Sequence, residues 1–288
     1  MKQLVITLGF LASWLTLAAQ DDLLASLEAE QEDEVSLVEA TFKGTRLING
    51  HSIETRKKGV MDFMISHRFG TIDGGGYELF GLDDASIRIG LEYAITDRLY
   101  VGVGRSSFEK TYDGFLKYRL LRQSSGGGKN MPISATWLSS VALRTLRNPD
   151  LDESFKDKLA NTNQLLIAKK FESGLSLQLM PTWVHRNLIS DDESNNDVFA
   201  LGVGGRIKLS QRVAFCGEYY YQFQQLHGET TNAIAVGFDI ETGGHVFQLQ
   251  FTNATSMVSK GFITETVNDF FDGEIHFGFN ISRTFQLN

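Results

Sequence analysis

Charged side chains alternate with apolar ones along many short stretches of this sequence. Arg88 and Glu92, for example, alternate with the isoleucines and leucine of residues 85–95. Successive side chains of a strand point to opposite faces, so these charges lie on the face opposite the apolar residues. In a closed barrel with an apolar outer face, that second face lines the lumen. The candidate lumen residues are Asp62, Arg68, Arg88, Glu92, Asp113, Lys117, Arg119, Arg206, Glu218, Glu274 and His276.

Such a set of charges supports two kinds of chemistry. Rings of charged side chains bind or select polar solutes in pores. Alternatively, opposite charges pair across the lumen, satisfy one another and brace the wall. The sequence leaves both interpretations open.

Other residues with chemical potential give weaker signals. His67 and His185 alternate in step with the outward apolar residues, so they are expected to face outward. A lipid-modifying enzyme would need a serine near such a histidine, and no serine has a spacing that predicts this contact. Cys216 is the sole cysteine, so neither a disulfide framework nor a cysteine metal site is expected. The glycine runs at residues 74–76 and 126–128 lack the strand-to-helix context of a phosphate loop. We therefore predict no catalytic residues, no cofactor and no metal.

An acidic loop at residues 191–197 is the one place where calcium is an alternative. Its carboxylates are hard oxygen ligands of the type that calcium prefers. A solvated acidic loop is the simpler interpretation, and we favour it.

The elements that must position the lumen charges are strands. Twelve predicted strands follow Gly59, and most are long enough for a tilted membrane-spanning strand of about 9–11 residues. Strands of soluble sheets average about 5–6 residues. The connections alternate between short turns and longer loops, with the turn near Glu109 as the exception. This pattern predicts an all-β, antiparallel up-and-down transmembrane barrel of about twelve strands, and it disfavours a soluble sandwich.

The N-terminal residues predict export. Residues 1–19 combine Lys2, an apolar run and small residues at its end, as a cleaved signal peptide does. Residues 20–57 follow as an acidic periplasmic segment in which residues 41–48 form either a short strand or a plug. Residues 58–288 then form the barrel. The net charge of −8 argues against nucleic acid as a partner.

Four sequence clusters resemble a known family. They are TRLINGHS (45–52), SHRFG (66–70), GLDD (81–84) and YDGFLKYR (112–119). They are similar to an uncharacterised Bacteroidota β-barrel family, the domain of unknown function 5777, from about residue 40 to the C-terminus. The resemblance implies an outer-membrane barrel of a Gram-negative bacterium, and it transfers no catalytic residue.

Together these observations favour a narrow channel or a solute-binding barrel with a charged lumen. The alternatives are a closed structural or surface-interaction barrel plugged by residues 40–48, and a lipid-modifying barrel enzyme. The expected partners are outer-membrane lipid, a small polar solute, and a periplasmic partner that docks on the acidic segment.

Overall fold

A computed structural model describes this chain in two compact units. One unit includes the described residues 35–38, 122–126 and 130–132, and within it Ser36–Leu37 pairs antiparallel with Ser124–Ser125. The other unit contains all the long strands. The predicted signal peptide and the first part of the acidic segment lie outside the described residues. Those residues are 35–126, 130–147, 154–187, 196–224 and 230–287.

Twelve strands form a closed antiparallel barrel, as the alternation predicts. Each strand pairs with the next along the chain, and the last pairs with the first, with Ile281 opposite Ile65. In the described ranges no helix is long and apolar enough to span a membrane. The strands are β1 (Val60–Thr71), β2 (Ala85–Ala94), β3 (Leu99–Ser106), β4 (Tyr112–Leu121), β5 (Ser134–Leu143), β6 (Leu159–Lys170), β7 (Leu175–Arg186), β8 (Asp197–Lys208), β9 (Val213–Gln222), β10 (Ala233–Thr242), β11 (His245–Thr252) and β12 (His276–Gln286).

The period of two separates an apolar outer face from a polar inner face. On β2, Ile89 and Leu91 are each 47% exposed, whereas Arg88 and Glu92 are only 2% and 0% exposed. The same division follows most of the other strands, with aromatic and aliphatic side chains outside. An outer surface of this kind is suited to hydrocarbon rather than to water.

The connections give the barrel two different ends. The links after β2, β6, β8 and β10 have at most four residues, and β1 begins and β12 finishes at that same end. We call it the turn end, and the opposite end the loop end. In barrels of this architecture the short turns face the periplasm.

Two segments of the same unit fill the interior. Residues 41–55, here called the plug, precede β1 and are almost entirely buried, although they add no strand to the barrel. Residues 253–266, here called the inner loop, follow β11 and include the short helix α1 (Ser259–Thr264). The last long loop of the sequence therefore folds inward. It carries apolar residues such as Phe262 and Ile263, whose side chains are at most 1% exposed.

Candidate functional site

The plug is a tight hairpin that enters and leaves through the turn end. The backbone N–H of Leu47 donates to the carbonyl of Gly50 at 2.8 Å, and Ser52 N–H donates to the carbonyl of Thr45 at 3.1 Å. On its return the chain reaches the β2–β3 turn, where the N–H of Lys58 donates to Asp97 Oδ1 at 2.9 Å. The turn at the tip leaves the N–H groups of residues 48–50 without partners in the hairpin, so the wall must satisfy them.

Glu218 on β9 satisfies these N–H groups. Its carboxylate accepts from Asn49 N at 2.7 Å, from Gly50 N at 3.1 Å and from Ile48 N at 3.3 Å. The close approach requires glycine at position 50, because a Cβ there would lie 2.1 Å from the Tyr220 hydroxyl oxygen. One predicted lumen residue thus holds the tip of the plug.

Uncharged amides bind the plug backbone at other points of the wall. Gln178 accepts from Ile53 N at 2.8 Å and donates to the carbonyl of His51 at 2.8 Å. Gln248 donates to the carbonyl of Leu47 at 2.8 Å, and Asn280 donates to that of residue 48 at 2.9 Å. These amides are not among the predicted lumen residues, because that prediction rests on charged side chains. Their inward parity on β7, β11 and β12 was the signal that could have identified them.

Lysine and arginine side chains of the wall hold the same backbone through its carbonyls. Lys117 Nζ donates to the carbonyls of Thr45 at 2.8 Å and Ser52 at 3.0 Å. Arg119 Nη2 donates to the carbonyl of Thr55 at 3.3 Å. Arg68 on β1 donates to the side chain of plug residue 49 at 2.6 Å. These three predicted residues therefore all contact the plug.

Two wall carboxylates pair with arginines of the N-terminal segment. Glu92 contacts Arg46 Nη2 at 2.8 Å and accepts from the Thr45 hydroxyl at 2.8 Å. Asp62 accepts from Arg56 Nε at 2.7 Å. Both carboxylates are 0% exposed, and such buried charges require partners of this kind.

A third ion pair lies entirely within the wall. Arg88 on β2 reaches across β3 to Asp113 on β4 in a two-pronged contact of 2.8 Å and 2.5 Å. Gly104 lies beneath the guanidinium, where a Cβ would be 2.3 Å from Arg88 Nη2. This pair does not depend on the plug.

The plug also has a charge pattern of its own, outside the membrane-spanning strands. Burial, together with the nearby Arg46 and Lys117, lowers the pKa of His51 well below its usual value. The ring is therefore neutral, and its Nδ1 can accept from Arg46 Nη1, which it contacts. Phe115 packs edge-on against the same ring, with centroids 4.6 Å apart.

The remaining predicted residues occupy three different places. Arg206 faces inward near the turn end, with its Nε 3.8 Å from Asp239. His276 lies at the start of β12, where its Nδ1 is 2.8 Å from the carbonyl oxygen of Phe69. The predicted place of Glu274 on the barrel wall is corrected. This residue belongs to the loop before β12, where it accepts from Asp269 N at 2.7 Å. The alternation that placed it in the lumen extends past the end of the strand.

The plug and the inner loop meet near Tyr220. Phe262 of the inner loop packs edge-on against this ring, with centroids 5.2 Å apart, and Gly50 of the plug lies against its hydroxyl. A void of about 10 Å³ separates the plug from the inner loop near His51 and Met257. That volume holds about one water molecule, so the plug and the inner loop leave little space between them at this point.

Comparison with known proteins identifies the type of barrel. A family model described as a membrane-bound β-barrel domain of unknown function, number 5777, matches residues 42–285. No curated protein matches. The solved NanC porin is 7% identical, with a TM-score of 0.49, over 79% of this chain and 100% of that chain. An outer-membrane channel from Pseudomonas putida F1 is 14% identical, with a TM-score of 0.46, over 81% and 97%. The barrel resides in the outer membrane, where its apolar face contacts lipid.

Proposed function

We propose that this chain, which belongs to the family of membrane-bound β-barrel domains of unknown function 5777, is an outer-membrane channel gated by its own plug. In the closed state the plug fills the lumen from the turn end. In the open state the plug withdraws towards the periplasm and a narrow, charged passage remains. The passage admits ions and small polar solutes.

The observation that carries this proposal is the way in which the plug is held. Side chains of the wall bind it, whereas the backbone ladder of the barrel closes between β12 and β1 without it. The plug can therefore leave without breaking a pair of barrel strands. A permanent filling would gain more from apolar residues, since buried ion pairs are weak contributors to stability.

The same wall residues would serve the open state. When the plug withdraws, water replaces its backbone at Glu218, Lys117 and Arg68, whose ionisable side chains hydrate well. Side chains of both signs then line the passage, as in pores that bind polar solutes. A plug that exchanges with water in this way needs a polar wall.

A reversible lock tests the gate in the full-length mature chain. Cys216 on β9 is 1% exposed and packs in one cluster with Ile48 of the plug. In the Ile48→Cys variant a disulfide to the native Cys216 would tether the plug to the wall. We expect no conductance in a planar bilayer under oxidising conditions and discrete, salt-dependent steps after reduction.

The matched control combines Ile48→Cys with Cys216→Ala, which removes the tether but keeps the change in the plug. Its conductance should not depend on the redox conditions. A correctly inserted, reduced variant that stays silent at every applied potential contradicts the channel.

A closed structural or surface-interaction barrel is the second candidate. The inner loop favours it, because Phe262 and Ile263 are buried in the same apolar cluster as Leu47 of the plug. In that case the silent bilayer is the expected result. A lipid-modifying enzyme is less well supported, since His185 contacts Asp197 at 2.8 Å and Asn187 at 3.1 Å rather than a nucleophilic hydroxyl.

Withdrawal of the plug requires a force or a binding partner on the periplasmic side. The acidic segment at residues 20–39 directly precedes the plug in the sequence. A periplasmic partner with a basic surface that binds this segment would favour the open state. Such a partner would act through differential affinity for the two states.

A further inference from the structure

A cavity of about 440 Å³ opens at the turn end of the barrel, apart from the contacts that hold the tip of the plug. Lys43 of the plug lines one side. The opposite sides come from the end of β6, the β6–β7 turn and the end of β8. The volume falls within the range of small-molecule sites, about 300–1,000 Å³.

The lining is strongly cationic. Lys43, Lys170, Arg206 and Lys208 surround the cavity, and Glu172 is the acidic residue among its lining groups. Part of this charge is already engaged, since Lys43 contacts Glu241 and Lys170 Nζ donates to the carbonyl of residue 39 at 2.8 Å. The lining still carries an excess of positive charge on a protein whose net charge is −8. Local concentration of one sign in a concave site attracts the opposite sign.

Arg206 contributes a buried charge to the lining of the cavity. Its side chain is 94% buried, and its Nε lies 3.8 Å from Asp239 Oδ2, which is a long contact for an ion pair. The other oxygen of that carboxylate accepts from Gln248 at 2.8 Å. Nε itself is enclosed by protein, so a ligand in the cavity would contact other atoms of this side chain. A buried guanidinium whose acidic partner lies at this distance is incompletely compensated, and an anion in the cavity would add to that compensation.

We infer that the cavity binds a small oxyanion with two or more negative charges, of the phosphate or polycarboxylate type. Arg206 would bind one anionic group through its planar guanidinium, whose geometry fits two oxygens of a phosphate or carboxylate. Lys43 and Lys208 would bind a second group from opposite sides. The short turns of such barrels face the periplasm, so the ligand of a site at the turn end would be a periplasmic solute.

Inorganic pyrophosphate is a suitable probe, because it carries two phosphate groups and is smaller than the cavity. Isothermal titration of the full-length mature chain in detergent, at constant ionic strength, should show one bound pyrophosphate per barrel. Lys208→Gln removes an exposed lysine at the end of β8 and should leave the barrel folded. We expect it to weaken binding about tenfold, the effect of one lost charge-assisted hydrogen bond. Arg206→Gln should weaken binding further.

Arg212→Gln is the matched control, since it makes the same change in charge in the β8–β9 turn but does not line the cavity. Its affinity should equal that of the unchanged chain. The proposal is wrong if the unchanged chain does not bind pyrophosphate, or if Arg212→Gln weakens binding as much as Lys208→Gln does. The titration needs only the closed plug, which carries Lys43, and the conductance test needs no pyrophosphate, so the two tests fail separately.

Discussion

At the scale of single residues, the carboxylate of Glu218 shows how an ion can be buried and still be satisfied. It accepts backbone N–H groups of the plug tip rather than pairing with a neighbouring cation. Hydrogen bonds to a charged acceptor contribute about 1.5–3 kcal/mol each, more than neutral ones. The side chain therefore couples the position of the plug to one titratable group of the wall.

Glu218→Gln removes the charge but keeps the shape, and it should loosen the plug. We expect Cys216, whose thiol is hidden beside the plug, to react with a maleimide at least about tenfold faster in this variant. Labelling rates followed by mass spectrometry measure the change. Glu274→Gln is the control, because it makes the same substitution in a loop outside the barrel wall. Equal rates for the two variants would show that Glu218 does not hold the plug.

Gly50 tests the same contact by steric means. Gly50→Ala places a methyl group against the buried hydroxyl of Tyr220 and should destabilise the closed plug by about 1–3 kcal/mol, the usual cost of overpacking. Gly44→Ala is the matched control, since a Cβ at that position finds its nearest atom at 3.5 Å. Labelling of Cys216 should accelerate only for the first variant. Adding Tyr220→Phe to Gly50→Ala should restore slow labelling, and a failure to do so would contradict the steric explanation.

At the scale of elements, the inner loop and the plug close the lumen by different means. Polar wall groups bind the plug backbone, whereas α1 packs through Phe262 against Tyr220. Lys260 also ties the helix to Glu265 at 2.7 Å and 2.8 Å. The two closures are thus expected to respond to different substitutions.

Phe262→Ala should open the loop-end half without affecting the strands. Truncating a buried phenylalanine costs about 3–5 kcal/mol, and here the loss falls on a short helix that makes no strand ladder. We expect faster hydrogen exchange in residues 253–266, with unchanged protection of β9 and β12. Phe271→Ala, at a side chain that is 85% exposed, should change neither region. Loss of protection in the strands would show that the inner loop is part of the barrel core.

The strands could be predicted from the sequence because lipid imposes an apolar face along their whole length. Where consecutive residues are apolar the sequence does not assign the facing of a strand, as on β6, where Leu165 faces outward at 37% exposure and Leu166 is 0% exposed. Leu166 packs in the interior cluster that includes Leu47 of the plug. An inward residue that contacts the plug can be apolar, as in a packed core, whereas an inward residue in a water-filled lumen is expected to be polar.

The plug itself could not be placed by sequence patterns. Its contacts join residues far apart in the chain, such as Asn49 and Glu218, and no local period records them. The inward path of the inner loop left a weak trace in the sequence, the apolar residues Met257, Phe262 and Ile263 in the long connection before the last strand. The position of a segment without regular periodicity depends on its long-range contacts. Those contacts are visible only in the folded barrel.

At the scale of the whole molecule, the arrangement separates closure of the barrel from closure of the lumen. The strand ring is complete without the plug, and the Arg88–Asp113 pair also lies wholly in the wall. Several plug partners, by contrast, are charged groups that water can solvate. The barrel should therefore tolerate loss of the plug better than a soluble domain tolerates loss of a core segment.

Deletion of residues 41–55 tests this separation directly. We expect the shortened chain to insert as a barrel that retains its strand content and to conduct constantly, because water fills the vacated lumen. Adding Lys117→Gln should shift the reversal potential in a salt gradient towards cations, since it removes a lumen lysine and leaves Glu92 and Glu218. The matched variant Lys58→Gln, at an exposed site before β1, should leave the reversal potential unchanged. A shortened chain that fails to fold would show that the plug is the core of a closed barrel, because the polar contacts that hold it would then be required for the strands as well.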